Sequence, residues 1–283
     1  MLNSKTRNEA VNKLEKSIGK HESLRKEVGN SSVELFSERK RAAGEVIESV
    51  EAFVNRLANS PKEFKKSVAE YRVEVSRFDH TVHKIEAEAT RIRKIGSATG
   101  GAGAMAGVGV AAFGPTAAMA IATTFGTAST GTAISTLSGA VATKAALAWL
   151  GGGALAAGGG GVAAGNALLA MAGPVGWTIG GVAIVGSGLF LHRRNGQIAE
   201  GATKERVKVE AEVRSLQIAS REISSLTSLT RDHADGCLKD LSWLQSNAPT
   251  DYARFGAAER TRIGALINHI NSLSELLSKE VAV

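Results

Sequence analysis

The residues best suited to acid–base, nucleophilic or metal chemistry are six histidines and a single cysteine. His80 and His83 stand three apart, which places them on one face of a helix at a spacing that metals use. No third ligand accompanies them, so they read as surface residues. His269 lies beside an apolar seam with no partner visible in sequence. Cys237, the only cysteine, cannot form an intrachain disulfide and falls near a helical stripe, where a small core residue fits. Two glycine-rich runs, Gly101-Ala102-Gly103 and Gly151 to Gly161, invite a phosphate-loop reading. Neither ends in Gly-Lys-Ser/Thr or follows a predicted strand, so neither supports one. No Ser/His/Asp, Cys/His or paired-carboxylate constellation appears. The sequence predicts neither an enzyme nor a cofactor, and no metal site.

The elements that hold these residues are dominated by one stretch, Thr99 to Leu191, built almost wholly of Gly, Ala, Val, Leu, Ile, Ser and Thr, with Lys144 its only charge. An uncharged run of eighteen or more residues reads as a membrane-spanning candidate. The strongest span is Val175 to Leu191, with Trp177 at one end and Arg193 and Arg194 beyond the other. Trp149 is the other tryptophan of this stretch. Small residues recur four apart: Gly103 and Gly107, Gly161 and Gly165, Gly176 and Gly180. That spacing lets helix backbones approach closely in lipid. Each glycine lowers helix propensity by about 1 kcal/mol relative to alanine. The stretch is therefore expected to balance between protein shelter and lipid, with Lys144 facing water or an interface.

The flanks are different. Residues 4–28 carry Val11, Leu14, Ile18, Leu24 and Val28 on one side, and Gly29-Asn30-Ser31 predicts a break. Phe36, Ala43, Ile47, Val50, Val54 and Leu57 mark a second helix ending at Asn59-Ser60-Pro61. Ser60 as N-cap, Pro61 at the first helical position and Glu63 at the third predict a capped start. From Phe64 through Val68, Tyr71, Val75, Phe78, Val82, Ile85 and Ala89 to Ile92 the steps alternate four and three, a coiled-coil seam. After the apolar stretch, Asn195 to about Gln245 reads as one long helix. Its seam holds Ile198, Ala202, Val209, Val213, Leu216, Ile223, Leu226, Leu241 and Leu244, with Ala219, His233 and Cys237 as weaker members. Asn247-Ala248-Pro249-Thr250 ends it, and Ile263, Leu266, Ile270, Leu273 and Leu277 mark a last helix.

Three regions follow: a helical arm over 1–95, Gly/Ala-rich membrane-inserting helices over 96–192 and a second arm over 193–283. Both ends of the insert are basic, with Arg91, Arg93 and Lys94 before it and Arg193 and Arg194 after it. Positive flanks prefer one side of a membrane, and the arms must pair to bury their seams. Both arguments predict an even number of crossings. The expected fold is all-α: an elongated antiparallel helical bundle or coiled-coil stalk with a Gly/Ala-rich apolar helical-hairpin head. The net charge of +7 is spread over interleaved acids and bases, which argues against nucleic acid as a partner. The N-terminus shows no apolar signal segment, so a cytoplasmic protein with membrane association, or release by a non-classical route, is expected.

The heptad helix Phe64–Ile92, the insert Gly100–Leu191 and the returning helix Ile198–Leu244 together resemble the layout of the helical pore-forming toxins of the cytolysin A superfamily and of the apolipoprotein L family. The resemblance implies a helical form that inserts its head into a lipid membrane and forms a homo-oligomer. Conditional insertion with pore formation, of toxin or defence-effector type, is thus the first functional expectation. A constitutive membrane-anchored coiled-coil scaffold or secretion translocator is the alternative. A third reading is a helical assembly protein whose apolar insert is buried in a homo-oligomer; any other protein partner is unknown.

Overall fold

The computed structural model describes residues 2–98, 120, 123–124 and 191–281, with side chains for 4–83, 120, 123–124 and 195–281. Among these the regular structure is helical. Helix α1 spans Leu2–Arg41, a π-helical turn spans Ala42–Val46, and α2 spans Ile47–Arg56. Helix α3 spans Lys62–Ala98, α4 Leu191–Asn247 and α5 Ala257–Ser278, with a 3-10 turn at Tyr252–Arg254 before α5. At 1.5 Å per residue, α4 is about 85 Å long, which makes the bundle elongated.

The helices form two hairpins, α1–α2 with α3 and α4 with α5. Where side chains are described, the seams predicted from threes and fours are buried or half-buried. Phe64, Val68, Tyr71, Val75, Phe78 and Val82 of α3 meet Ile263, Leu266, Ile270 and Leu273 of α5 in one core with Ile47, Val50 and Phe53 of α2. Leu14 packs with Ala202, Val209 and Val213 further along, and Val28 and Leu35 with Leu216, Ile223 and Leu226 between. The most extensive interface joins α1 to α4. Its polar pairs climb both helices together: Arg7 with Asn195, Ser17 with Glu210, Glu27 with Ser220 and Arg41 with Asp235. Helices α1 and α4 are therefore parallel, and α3 and α4, the two helices that flank the apolar stretch, run in opposite directions. Both hairpins turn at the same end, where Ala58 N–H donates to Thr250 O at 2.8 Å and Tyr252 N–H donates to Ala58 O at 2.9 Å. Of the range 96–192 expected to form the hairpin head, only residues 96–98, 120, 123–124 and 191–192 are described.

Two local predictions are corrected. Gly29-Asn30-Ser31 does not break α1, which continues to Arg41. Val28 is buried against α4 on one side of this point, and the buried Ser32 hydroxyl donates to Val28 O at 2.8 Å. Tertiary packing overrides a weak local preference for a break. Ser60 does not cap α3, because its buried Oγ has no hydrogen-bond partner. Pro61 is the capping residue instead, its carbonyl accepting from Lys65 N–H at 3.1 Å.

The π turn at Ala42–Val46 has a clear consequence. One extra residue in a helical turn rotates everything after it by about 100°. The face that meets α4 in α1 is thus re-aimed in α2, which packs on α3 as well as α4. The turn is sealed from outside: Tyr71 of α3, fully buried, donates its hydroxyl to Ala42 O at 2.7 Å.

Candidate functional site

Four places in the described structure hold chemistry or unpartnered surface. The first is Arg39, in the last turn of α1 and 1% exposed. Its Nη1 donates to Thr123 O at 3.0 Å, its Nη2 donates to Lys279 O, and its Nε has no partner. Burial pulls the guanidinium down to about 10, opposed by the nearby Glu280 carboxylate. Burial in turn pushes the Glu280 carboxyl up, opposed by Arg39. Val281 N–H donates to Thr124 O at 2.8 Å, and Val281 packs into the cluster of Val28, Leu35 and Leu226. Three segments remote in sequence, from α1, from the apolar stretch and from the C-terminal tail, meet on one buried cation.

The second is a histidine pair. His233 of α4 and His269 of α5 place their Nδ1 atoms 2.9 Å apart, so one ring donates and the other accepts while both are neutral. Burial, then the neighbouring His269, hold His233 below the usual imidazole range, against Asp232. The close approach uses Gly236, where a Cβ would lie 2.5 Å from the His269 ring. Sequence reasoning left His269 without a partner; His233, a weaker member of the α4 seam, was the available signal. Among the described residues no group of three or more His, Cys, Asp and Glu is arranged to hold a metal ion, His80 and His83 included. Cys237 is buried in the main core, and burial pushes its thiol up to about 12, which leaves it a packing residue.

The third is an open cleft of about 560 Å³ between α2 and α3, lined by Glu51, Asn55, Lys65, Val68 and Arg72 among others. Arg72 donates two hydrogen bonds to the Glu51 carboxylate, so its central charges are spent on one another.

The fourth is the outward face of α4. The exposed large apolar side chains among the described residues are Val73 of α3 and three on α4: Val207 at 54%, Ile218 at 58% and Leu229 at 44%. The α4 residues are spaced by eleven. Eleven residues turn a helix through about 1100°, within 20° of three full turns, so the three lie on one line. That line is opposite the buried seam of Val209, Leu216 and Ile223, and nothing in the described structure covers it.

No known protein family, curated protein or solved structure matches this chain. The likeness to the cytolysin A superfamily and to apolipoprotein L is therefore not upheld. Among the described residues no helix is long and apolar enough to cross a membrane, and the only β pairing is the isolated bridge Ala58–Asp251. The longest described helix, α4, has an exposed apolar line only one residue wide, interrupted by the exposed Lys204, Arg214 and Asp232, and the span expected at Val175–Leu191 lies, Leu191 apart, outside the described residues. A crossing needs about 20 consecutive, predominantly apolar residues. These findings correct the expectations of membrane insertion, of pore formation, of a membrane-anchored scaffold or translocator, of lipid as a partner and of membrane association. Gly103, Gly107, Lys144, Trp149, Gly161, Gly165, Gly176, Trp177 and Gly180 lie outside the described residues. Arg91, Arg93 and Lys94 fall in the last turns of α3, and Arg193 and Arg194 in the first turn of α4.

Proposed function

We propose that this protein is a non-enzymatic helical assembly protein that associates with a second copy of itself through the outward face of α4. The observation that carries the reading is the line of Val207, Ile218 and Leu229, exposed on the longest helix of the bundle. Singly exposed apolar residues are ordinary, but an aligned apolar row rimmed by charge is a feature of contact surfaces. The non-enzymatic part draws support from the chemistry-bearing groups described above. The cysteine is buried, the cleft charges are paired, and Arg39 is occupied by carbonyl oxygens. The composition of 99–191, with its single charge, adds a requirement for protein cover.

Light scattering after size-exclusion chromatography of the full chain tests the reading. The expected mass is a multiple of 29.3 kDa, returning to one chain in Ile218→Glu. A wild-type chain that stays monomeric at every concentration refutes it.

A further inference from the structure

The two imidazoles that join α4 to α5 meet end to end. Their Nδ1 atoms are 2.9 Å apart while their ring centroids are 5.1 Å apart. An imidazole nitrogen lies so near its own ring centre that these two distances leave almost no bend, and both nitrogens fall close to the line joining the centres. The lone pair or N–H of such a nitrogen points outward along that line, so each Nδ1 faces the other head-on. This is the geometry of a near-linear N–H···N bond. A metal ion would need each nitrogen about 2 Å from it, with both lone pairs converging on it, and the facing nitrogens leave no such place. The gap holds a proton and nothing larger.

The number of protons on the pair therefore decides the contact. With both rings neutral, one Nδ1 donates and the other accepts. A first added proton goes to the bare Nε2 of the donor ring, and the bond between the Nδ1 atoms survives with charge assistance. A second can only go to the accepting Nδ1. Both nitrogens then carry hydrogens, two like charges face each other, and no bond remains. The other charges around the pair are engaged. On α4, Asp232 favours the charged form of His233 and accepts from the Ser228 hydroxyl at 3.4 Å. Arg231 is bonded to Glu34 and Glu38 of α1, and Arg41 of α1 to Asp235. Arg262 of α5 is bonded to Asp240, and Tyr71 of α3 donates its hydroxyl to Ala42 O. The His269 ring is seated on Gly236, where a Cβ would come within 2.5 Å of its Nε2 and Cε1. Beyond this seat α5 runs on to Lys279, whose carbonyl accepts from Arg39.

We infer that His233 and His269 form a one-proton clasp between α4 and α5. It is closed while neither ring or one ring is charged and opens when the second proton arrives, so that acid loosens α5 and the tail it carries to Arg39. The clasp is independent of the self-association proposed above.

Nitrogen NMR of the full chain with isotope-labelled histidine tests it, with His233→Gln and His269→Gln assigning the two rings among the six histidines. Above neutral pH one ring is expected to carry its proton on Nδ1 and the other on Nε2. Charging one ring is expected to weaken proton binding at the other about tenfold, read from the separation of the two titration steps. Gly236→Ala, a change that favours the helix itself, is expected to unseat the His269 ring, after which the two rings titrate independently. Hydrogen exchange over residues 269–281, referred to the intrinsic rate at each pH, is expected to rise about tenfold from pH 7 to pH 5, and most of that rise to vanish in His269→Gln. Protons on Nε2 of both rings above neutral pH overturn the inference, as does independent titration in the unaltered chain. Exchange that rises equally in His269→Gln overturns it too, and so does a Gly236→Ala chain whose rings titrate as before.

Discussion

Replacing Arg39 separates the cost of burying its charge from the value of the bonds it makes. The guanidinium donates to Thr123 O at 3.0 Å and to Lys279 O. Hydrogen bonds from a charged donor contribute about 1.5–3 kcal/mol each, so the two together are worth about 3–6 kcal/mol. Against this stands the depression of its pKa from 12.5 to about 10, equivalent to about 3 kcal/mol of penalty on the charged form. Arg39→Met keeps most of the buried stem while removing both terms, and a net loss of about 1–2 kcal/mol is expected. Arg39→Ala also removes the stem and opens a cavity, adding about 2 kcal/mol. Urea denaturation gives the two values. Hydrogen exchange at Val281, whose amide donates to Thr124 O, reports the junction itself and should quicken in both variants. If Arg39→Met costs as much as Arg39→Ala, or if exchange at Val281 is unchanged, the cation does not hold the three segments together as argued.

Tyr71→Phe keeps the ring but leaves Ala42 O without the hydroxyl that now reaches it at 2.7 Å. A loss of about 1–2 kcal/mol in urea is expected, and an unchanged midpoint would count against a role for this bond in sealing the π turn. His233 is held below the usual imidazole range by burial and by His269, so the unfolded chain takes up a proton at a higher pH than the folded one. Stability should be constant above the ordinary histidine value and fall as pH drops below it. His269→Gln should shallow that fall, as thermal melts between pH 7 and pH 5 would register.

The helices and their buried seams were legible because three-four spacing survives packing: Val209, Leu216, Ile223, Ile263, Leu266 and Ile270 are all core residues. The parallel run of α1 beside α4 was not legible. It depends on which seam each hairpin offers the other, and that is re-aimed by a π turn whose Ala-Ala-Gly-Glu-Val sequence carries no distinguishing mark. Arg39 was invisible for a related reason. It follows Glu38 and precedes Lys40 and Arg41 in a charged run, and only the arrival of Thr123 and Lys279 turns it into a buried residue. The histidine pair needed the register of α4 against α5. The α4 row was readable in principle, yet its residues fall outside the three-four pattern and look like scatter until the helix is known to be continuous from Leu191 to Asn247.

The parallel pairing of α1 with α4 also bears on how the chain is made. Cross-pairs between these helices join residues 188 to 197 apart, from Arg7 with Asn195 to Glu34 with Arg231. Each hairpin can close locally, but docking one on the other closes the 92 residues between Ala98 and Leu191, an entropic cost of about 4 kcal/mol. During synthesis at about 5–20 residues per second, α1 emerges about 10–40 s before its partner exists. Through that interval Leu14, Val28 and Leu35 have no α4 to bury them, so the first helix of the protein is the one most dependent on protection while the ribosome completes the rest.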